Sequence, residues 1–152
     1  MKPERNWTSA ELLEFLPGLL ESGGTLPLVI SGSSMSPFLI HGRDTVYLSK
    51  IRRPVKPGDM VLYRRDNGEL LLHRIRRMDA RGITLLGDAQ THEESGVKQE
   101  QLLAMVTAVN RNGKLLTEKS LVWKFFAKIW LWVIPLRRKL IACYAWITRK
   151  RR

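Results

Sequence analysis

Residues 59–76 read DMVLYRRDNGELLLHRIR, and this stretch decides the fold class. Two short runs rich in aliphatic residues, Asp59–Arg64 and Leu70–Arg76, flank the tripeptide Asp66-Asn67-Gly68. Asn and Gly tolerate positive φ, so the stretch predicts two strands joined by a hairpin turn. The hairpin would carry His73 on its second strand.

Similar runs on both sides of this hairpin extend the pattern from Gly23 to about Val109. They are short, aliphatic or β-branched, and separated by Gly, Pro, Asn and Asp, which is typical of a mostly β domain. The further predicted strands are Leu28–Ser31, Thr45–Ser49, Ile83–Leu86 and Leu102–Val109.

A short helix is predicted ahead of the strands, over residues 8–21. Thr8 can cap it and Glu11 completes a capping box, while Trp7 can staple onto Leu12. We expect Pro17, which is followed by glycine, to bend or shorten this helix.

The composition limits the number of domains and the kinds of site. A chain of 152 residues holds one domain with a core and an appendage. Hydrophobic residues at 44% and charged residues at 26% are typical of a folded chain and argue against disorder. The single cysteine, Cys143, excludes an internal disulfide and a cysteine–histidine zinc site, so we expect no metal.

The net charge of +12 is concentrated at one end of the chain. Residues 121–152 contain nine bases and no acid, whereas residues 1–120 contain 17 bases and 14 acids. The basic segment is rich in Trp and Phe, a composition more typical of a membrane-surface segment than of a nucleic-acid groove. We therefore expect a membrane surface as partner and no nucleic acid.

The apolar run within the basic segment is too short to cross a bilayer. Its uncharged run, residues 129–136, falls well below the roughly 20 residues that a span requires, and Pro135 interrupts it. We expect two short helices lying in the membrane interface; packing of the same helices on the β domain remains open. The membrane-binding candidates are Trp123, Lys124, Lys128, Trp130, Trp132, Arg137 and Arg138.

No apolar run at the N-terminus indicates a signal peptide or a span. We therefore expect peripheral membrane association on the cytoplasmic side.

Several motifs occur in an order that indicates a family. Gly32-Ser33-Ser34-Met35-Ser36-Pro37 resembles the G-x-S-M-x-P nucleophile box of the signal peptidase I and SOS-repressor protease superfamily, the S24/S26-type serine peptidases. Residues 42–48, GRDTVYL, resemble the following G-D-x-V strand, with Arg43 where the family usually has Asp. Residues 56–63, KPGDMVLY, closely match K-x-G-D-I-V-x-F.

Two later segments complete the ordered set, which spans residues 28–110. Residues 72–75, LHRI, match the second catalytic segment, and residues 87–90, GDAQ, with Glu93 and Glu94 resemble the final G-D-N-x-x-x-D-[DS] box. The resemblance implies a signal-peptidase-like coiled β-sheet domain, mainly β, with a short N-terminal helix and a C-terminal amphipathic helical tail.

The resemblance implies Ser34 as nucleophile and His73 as its general base. His73 followed by Arg74 sides with the endoplasmic-reticulum-type branch, since bacterial signal peptidases and SOS repressors usually carry lysine. Imidazole titrates near neutrality and needs less desolvation than a lysine base. By chemistry alone His41 and His92 also qualify.

The acid that orients His73 stays open between Asp88 and Glu94. Signal peptidases often have an oxyanion-binding serine two residues before the nucleophile, but Gly32 stands there in this chain. The candidates for oxyanion or substrate binding are Gly32, Ser33 and Met35, beside the backbone N–H of Ser34. Arg74, Arg76 and Arg77 are expected to form a solvated strand edge, with Arg74 as a candidate brace for the final acidic box.

The implied function is a serine endopeptidase that needs no cofactor. It would bind an extended leader or signal segment of a precursor by strand addition against Leu28–Ser31 and the strand of His73. The alternative is an inactive membrane-surface module on a protease scaffold. A self-cleaving regulator is disfavoured, because about 25 residues ahead of the domain leave no room for a helix-turn-helix.

The expected organisation has three parts. Residues 1–22 form a helical segment, residues 23–119 the catalytic domain, and residues 120–152 a basic, Trp-rich, membrane-associating tail.

Overall fold

The structure is a computed structural model that describes residues 7–149. Along the chain, an N-terminal helix is followed by an eight-stranded antiparallel sheet and then by a C-terminal helical segment. This architecture confirms the mainly β class. The elements are α1 (Ser9–Glu21), β1 (Leu26–Val29), β2 (Asp44–Ser49), β3 (Met60–Arg64), β4 (Leu70–Asp79), β5 (Gly82–Leu86), β6 (Glu94–Val97), β7 (Leu102–Arg111), β8 (Lys114–Thr117), α2 (Leu121–Lys124) and α3 (Ile134–Arg149).

The strand order is β1-β2-β7-β3-β4-β5-β6, with β8 also paired to β7. The long strand β7 therefore joins the two halves of the sheet, because it pairs with β2 along one edge and with β3 and β8 along the other. Register shifts interrupt four of the pairings, between β2 and β7, β3 and β7, β4 and β5, and β5 and β6. Such irregularities increase the local twist and curl the sheet.

The hairpin predicted from residues 59–76 is confirmed. Arg65 N–H donates to the Glu69 carbonyl at 2.9 Å, and Gly68 takes the positive φ of 88° that the turn requires. The second strand continues to Asp79, beyond the predicted end at Arg76.

Both faces of β3 are buried, which explains its unbroken apolar sequence. Met60 and Leu62 face the larger core cluster, together with α1 and the C-terminal helices. Val61 and Tyr63 face a second cluster built with β4, β5 and β7. His73 pairs with Val61 across the hairpin and so lies on the side of the second cluster.

Helix α1 begins as predicted, with Thr8 and Glu11 forming the capping box. It then runs through Pro17 to Glu21, so the proline does not shorten it. Leu16 and Leu20, buried on either side of Pro17, hold both halves of the helix on the main core.

Two strands were not predicted, β6 and β8. Their sequences, ESGV and KLLT, lack a clear apolar alternation, and both strands are largely exposed. They form because β5 and β7 offer free edges for pairing.

The C-terminal segment packs into the domain over its first half. After α2 the chain forms a wide helical turn at Phe125–Ile129 and then enters α3, with Pro135 in the first turn, where a missing N–H is tolerated. Trp123, Phe126 and Trp130 belong to the same core cluster as α1 and β3. Of the helices within residues 7–149, none combines the length and hydropathy needed to cross a bilayer.

Candidate active site

Ser34 lies in a compact turn between β1 and β2. Ser36 N–H donates to the Ser33 carbonyl at 3.0 Å, and Leu39 N–H donates to the Met35 carbonyl at 2.8 Å. Met35 and Leu39 are buried, so the turn is anchored to the core directly after Ser34. The Ser34 side chain lines a surface groove.

The Ser34 turn meets the GDAQ segment, residues 87–90. Ala89 N–H donates to the Ser34 carbonyl at 2.8 Å. A Cβ atom on Gly87 would lie 2.6 Å from the same carbonyl oxygen, so only glycine allows this approach. The two motifs, more than 50 residues apart in the sequence, are thus adjacent in the structure.

His73 is buried on β4, with 2% of its surface exposed. Its Nδ1 lies 3.1 Å from the Tyr63 hydroxyl, while its Nε2 has no hydrogen-bond partner. The next residue, Arg74, pairs with Leu86, which directly precedes Gly87. His73 therefore stands beside the segment that contacts Ser34, although no hydrogen bond joins the two side chains among the described contacts.

Glu94 reaches His73 through Tyr63. The Tyr63 hydroxyl donates to Glu94 Oε2 at 2.7 Å, and the Arg65 guanidinium donates to both Glu94 oxygens at 2.7 to 3.0 Å. The Arg65 hydrogen bonds lower the pKa of Glu94 against the opposing effect of burial, so Glu94 is ionised at neutral pH.

Burial is the main influence on the His73 imidazole. It lowers the pKa of His73 to about 4, although the negative charge of Glu94 opposes the shift. At neutral pH the imidazole is therefore uncharged and able to accept a proton.

Asp88 is engaged elsewhere. Its carboxylate accepts two hydrogen bonds from Arg74, and both side chains are fully buried. Arg74 therefore does not belong to the solvated strand edge that the sequence predicted; its charge is neutralised inside the domain, and only Arg76 and Arg77 keep solvent contact. Within the described residues no hydrogen bond links Asp88 to His73, whereas Glu94 is connected to it.

Arg137 fixes the same segment from the C-terminal helix. Its guanidinium donates to the carbonyls of Gly87 and Gln90, at 3.0 and 2.9 Å, and to that of Trp130 at 2.8 Å. The Trp130 indole N–H donates to the Asp88 carbonyl at 2.7 Å. The start of α3 thereby supports the loop that contacts Ser34.

These contacts correct the predicted membrane role of three residues. Trp123, Trp130 and Arg137 are buried, because the first two complete the core and the third satisfies buried carbonyl groups. Three other candidates, Lys124, Lys128 and Trp132, are exposed. The side chain of Arg138 lies outside the part of the chain that the structure describes.

The groove at Ser34 has a volume of about 620 Å³. Its walls come from β1 and the following residues, from the start of β4 and from α1, and include Leu28, Val29, Ile30, Ser31, Leu70, Leu71, Leu72, Trp7 and Leu12. Gly32, Met35 and His41 line it beside Ser34. The groove is an open cleft whose wall combines aliphatic side chains with polar groups, Ser34 among them.

The other predicted oxyanion residues have distinct environments. Gly32 N–H already donates to His41 Nδ1 at 3.2 Å, and open space surrounds the position of a Gly32 Cβ. Ser33 is exposed and Met35 is buried beneath the groove. The backbone N–H of Ser34 remains a candidate for the oxyanion role that the sequence predicts.

The two other histidines differ from His73. His41 and His92 are exposed, and His92 lines a separate surface cavity beside Arg65 and Glu94. In the described part of the chain, no three His, Cys, Asp or Glu side chains are grouped closely enough to hold a metal ion.

The roles of Tyr63 and Arg137 at the site were not predicted from the sequence. The proximity of Tyr63 to His73 could have been predicted from the sequence. Side chains two residues apart on a strand share a face, and Tyr63 lies two residues from Val61, the partner of His73. Arg137 carried no such signal, since its partners lie 47 and 50 residues away in the sequence.

Comparison with known proteins identifies the family of the chain. No curated protein matches the chain. The model of the family described as Peptidase S24-like matches residues 5–109, which include Ser34, His73, Asp88 and Glu94. The match covers more than half of the chain, and the chain therefore belongs to the Peptidase S24-like family, whose members are peptidases of the serine type.

Proposed function

We propose that this protein is a serine endopeptidase in which Ser34 is the nucleophile and His73 the general base. One observation carries the proposal: His73 is buried, its Nδ1 contacts Tyr63, and its Nε2 is left without a partner on the strand next to the Ser34 loop. A buried polar atom that is unsatisfied in the resting protein is uncommon, and a group waiting for a proton explains it.

The reaction follows the chemistry of a serine and a histidine. His73 Nε2 accepts the Ser34 hydroxyl proton as Oγ attacks the scissile carbonyl carbon. The imidazolium then gives this proton to the leaving amine, which departs and leaves an acyl-enzyme on Ser34. Water, deprotonated by His73, attacks the ester carbonyl. The bond to Ser34 Oγ then breaks, the carboxylic acid product leaves, and the imidazolium returns its proton to Oγ.

The oxyanion is assigned to the backbone N–H of Ser34. The neighbouring donors are occupied, because Gly32 N–H is bound to His41 and Ala89 N–H to the Ser34 carbonyl. The Ser33 hydroxyl is adjacent in the chain, and it would have to turn toward the groove to add a second donor.

The substrate is proposed to bind as an extended strand. In the described sheet β1 is an edge strand, and Ile30 N–H donates back toward β2, so the alternation of an antiparallel strand directs Val29 N–H into the groove. Opposite it, β4 pairs with β5 only from Arg74 onward, which leaves residues 70–73 without a neighbour on that edge. An extended peptide fits between these two free edges.

The finer identity rests on the sequence resemblance. We propose that the protein belongs to the histidine-base branch and cleaves a leader or signal segment after small residues. The support is His73 followed by Arg74, the aliphatic side chains in the groove wall, and a base that is neutral at physiological pH.

We also propose that the protein works on a membrane surface. Apolar side chains remain exposed along the helical segment at close to helical spacing: Leu121, Val122, Phe125, Ile129, Trp132, Leu136 and Leu140. Among the bases of this segment whose burial the structure describes, Arg137 is buried and Lys124, Lys128 and Lys139 are exposed. Residues 121–152 contain no acid. Apolar groups beside uncompensated positive charge suit an anionic lipid surface.

A peptide-library digestion tests the peptidase. The purified full chain is incubated with a library of extended peptides, and the products are sequenced by mass spectrometry. Ser34→Ala and His73→Ala should each abolish cleavage, because the two groups act as a unit, and Ser34→Ala should do so with little change in melting temperature. His92→Ala is the matched control and should retain activity, because His92 is exposed and lies outside the groove at Ser34.

The inactive-module alternative makes the opposite prediction. It expects no library peptide to be cleaved, with vesicle binding unchanged in Ser34→Ala. Wild-type turnover in His73→Ala would show that another group is the base.

A further inference from the structure

Tyr63 connects the base to a carboxylate that does not touch it. We propose that Tyr63 is a positioning residue through which Glu94 fixes the tautomer of His73. The inference rests on the proposed role of His73 as general base. It adds Tyr63 and Glu94 to Ser34 and His73 as side chains on which the reaction depends.

The hydrogen-bond inventory allows one arrangement. An ionised carboxylate only accepts, so the 2.7 Å contact requires the Tyr63 hydroxyl to donate its single proton to Glu94. The Tyr63 oxygen can then act only as acceptor toward His73 Nδ1, 3.1 Å away. The imidazole proton therefore resides on Nδ1, and the lone pair resides on Nε2, the atom without a partner.

Arg65 holds the far end of this chain. Its guanidinium contacts both oxygens of Glu94 and keeps the carboxylate ionised, and it also pairs with Glu69 at 2.8 Å. Burial and the hydrogen bond to Glu94 raise the pKa of Tyr63, so its hydroxyl keeps the proton that it donates. The direction of every hydrogen bond from Arg65 to His73 is thus determined.

Tyr63 bridges His73 and Glu94, two side chains that do not touch and that differ in burial. His73 is buried on β4, whereas Glu94 begins the outer strand β6 and is partly exposed. Tyr63, on β3, spans the gap with a rigid ring, and it lies fully buried in the second core cluster. When His73 becomes imidazolium, the Tyr63 oxygen still accepts from Nδ1, and the negative charge of Glu94 stabilises the cation from one hydroxyl away.

Tyr63→Phe removes the hydroxyl and keeps the ring. We expect kcat to fall by about 10- to 100-fold with KM nearly unchanged, which is less than the roughly 10⁴-fold loss when a triad carboxylate loses its charge. Tyr47→Phe is the matched control, since Tyr47 lies on β2 away from His73, and it should retain wild-type kcat.

The tautomer is measured separately from activity, by ¹⁵N NMR of labelled histidine in the full chain at neutral pH. Wild-type His73 should show a protonated Nδ1 and an unprotonated Nε2. Tyr63→Phe should shift these resonances toward a mixture of the two tautomers. Glu94→Gln should do the same, because its amide can donate to the Tyr63 oxygen and reverse the Tyr63 proton toward Nδ1.

The outcomes separate the two proposals. If no peptide is cleaved but Tyr63→Phe and Glu94→Gln change the His73 tautomer, the positioning role stands and the peptidase proposal fails. If the wild type cleaves peptides while Tyr63→Phe leaves both kcat and the tautomer unchanged, the positioning role is overturned. Should Tyr63→Phe unfold, the partly exposed Glu94→Gln decides, and an unchanged His73 spectrum in that variant overturns the inference.

Discussion

Arg74 and Asp88 form a two-hydrogen-bond ion pair from which solvent is fully excluded. Arg74 follows His73 on β4, and Asp88 lies in the segment that contacts Ser34, so the pair joins the two halves of the site. Arg74 also donates to the Gly58 carbonyl at 2.9 Å, which ties the turn before β3 to the same position.

Asp88→Asn should therefore destabilise the whole domain. It leaves the Arg74 charge buried without a counter-charge, which costs about 3–5 kcal/mol of unfolding free energy. Urea unfolding followed by tryptophan fluorescence measures the loss. Glu94→Gln, at a partly exposed carboxylate, is the control and should lose about 1 kcal/mol or less. Equal stability of Asp88→Asn and wild type would mean that the pair does not hold the loop.

The pH dependence of cleavage should reflect the buried environment of His73. Because its pKa is lowered to about 4, kcat/KM should stay level from neutral pH down to about pH 5 and fall only below that. The charged or titratable groups that act on the imidazole are Tyr63, Arg65, Glu69 and Glu94. A rate profile with a midpoint near 6.5, the ordinary histidine value, would contradict the assignment.

The same shift predicts a pH-dependent stability. Between about pH 4 and 6.5 the unfolded chain binds a proton at His73 that the folded chain does not, so the unfolding free energy is highest above pH 6.5 and falls as the pH drops. The difference of about 2.5 pKa units corresponds to roughly 3 kcal/mol. Urea midpoints measured from pH 7.5 to 4 should decline more steeply for the wild type than for His73→Gln. Parallel curves would show that His73 is not the group responsible.

Two truncations should separate the structural half of the tail from the rest. A chain ending at Lys119 lacks the buried Trp123, Phe126 and Trp130, and losing each large aromatic side chain costs about 3–5 kcal/mol. Together these losses match or exceed the usual total stability of a domain, so this chain should be unfolded. A chain ending at Lys139 keeps these residues and Arg137 and should fold and cleave peptides.

Circular dichroism and size-exclusion chromatography check both truncations. A folded and active chain ending at Lys119 would mean that the aromatic residues contribute little to the core. The matched point variant, Arg137→Met in the full chain, should lower kcat, because it releases the Gly87 and Gln90 carbonyls in the loop that contacts Ser34. It should also lower the unfolding free energy, because buried carbonyls lose their donor.

The sequence predicted the strands whose apolar runs are long and missed those whose pairing depends on a neighbour. β3 and β4 were evident from a hairpin turn between two aliphatic runs, whereas β6 and β8 are short, polar and placed by the edges of β5 and β7. The order of the motifs predicted that Ser34 and residues 87–90 belong to one site, and the two segments are adjacent in the structure.

The burial of charged side chains was predicted least well from the sequence. Arg74 and Arg137 stand among other bases, and such runs are usually solvated. Their burial depends on partners 14 and 50 residues away, Asp88 and the Gly87 carbonyl, which only the folded sheet brings near. The Trp-rich tail posed a related problem, because Trp123 and Trp130 face the core while Trp132 faces outward, and composition does not distinguish the two faces.

Membrane binding should depend on the outward face alone. Trp132 is 84% exposed and Leu121 83%, and both lie on the helical segment beside Lys124 and Lys128. Trp132→Ser should weaken the affinity for anionic vesicles by about 10- to 100-fold, since burying an aromatic side chain at the interface contributes about 1.5–3 kcal/mol. Leu115→Ser is the matched control, because Leu115 is 63% exposed but lies on β8, outside this face.

The contributions of charge and of apolar contacts to vesicle binding should differ in their dependence on salt. The double variant Lys124→Glu, Lys128→Glu should reduce binding at low ionic strength, as each base near an anionic surface contributes about 1 kcal/mol, and the difference should shrink as salt rises above 0.15 M. The Trp132→Ser defect should persist at high salt because apolar burial is not screened. Neutral vesicles should bind the wild type more weakly than anionic ones. Pelleting of Trp132→Ser and of the double variant at the wild-type level would show that this face meets something other than a lipid surface.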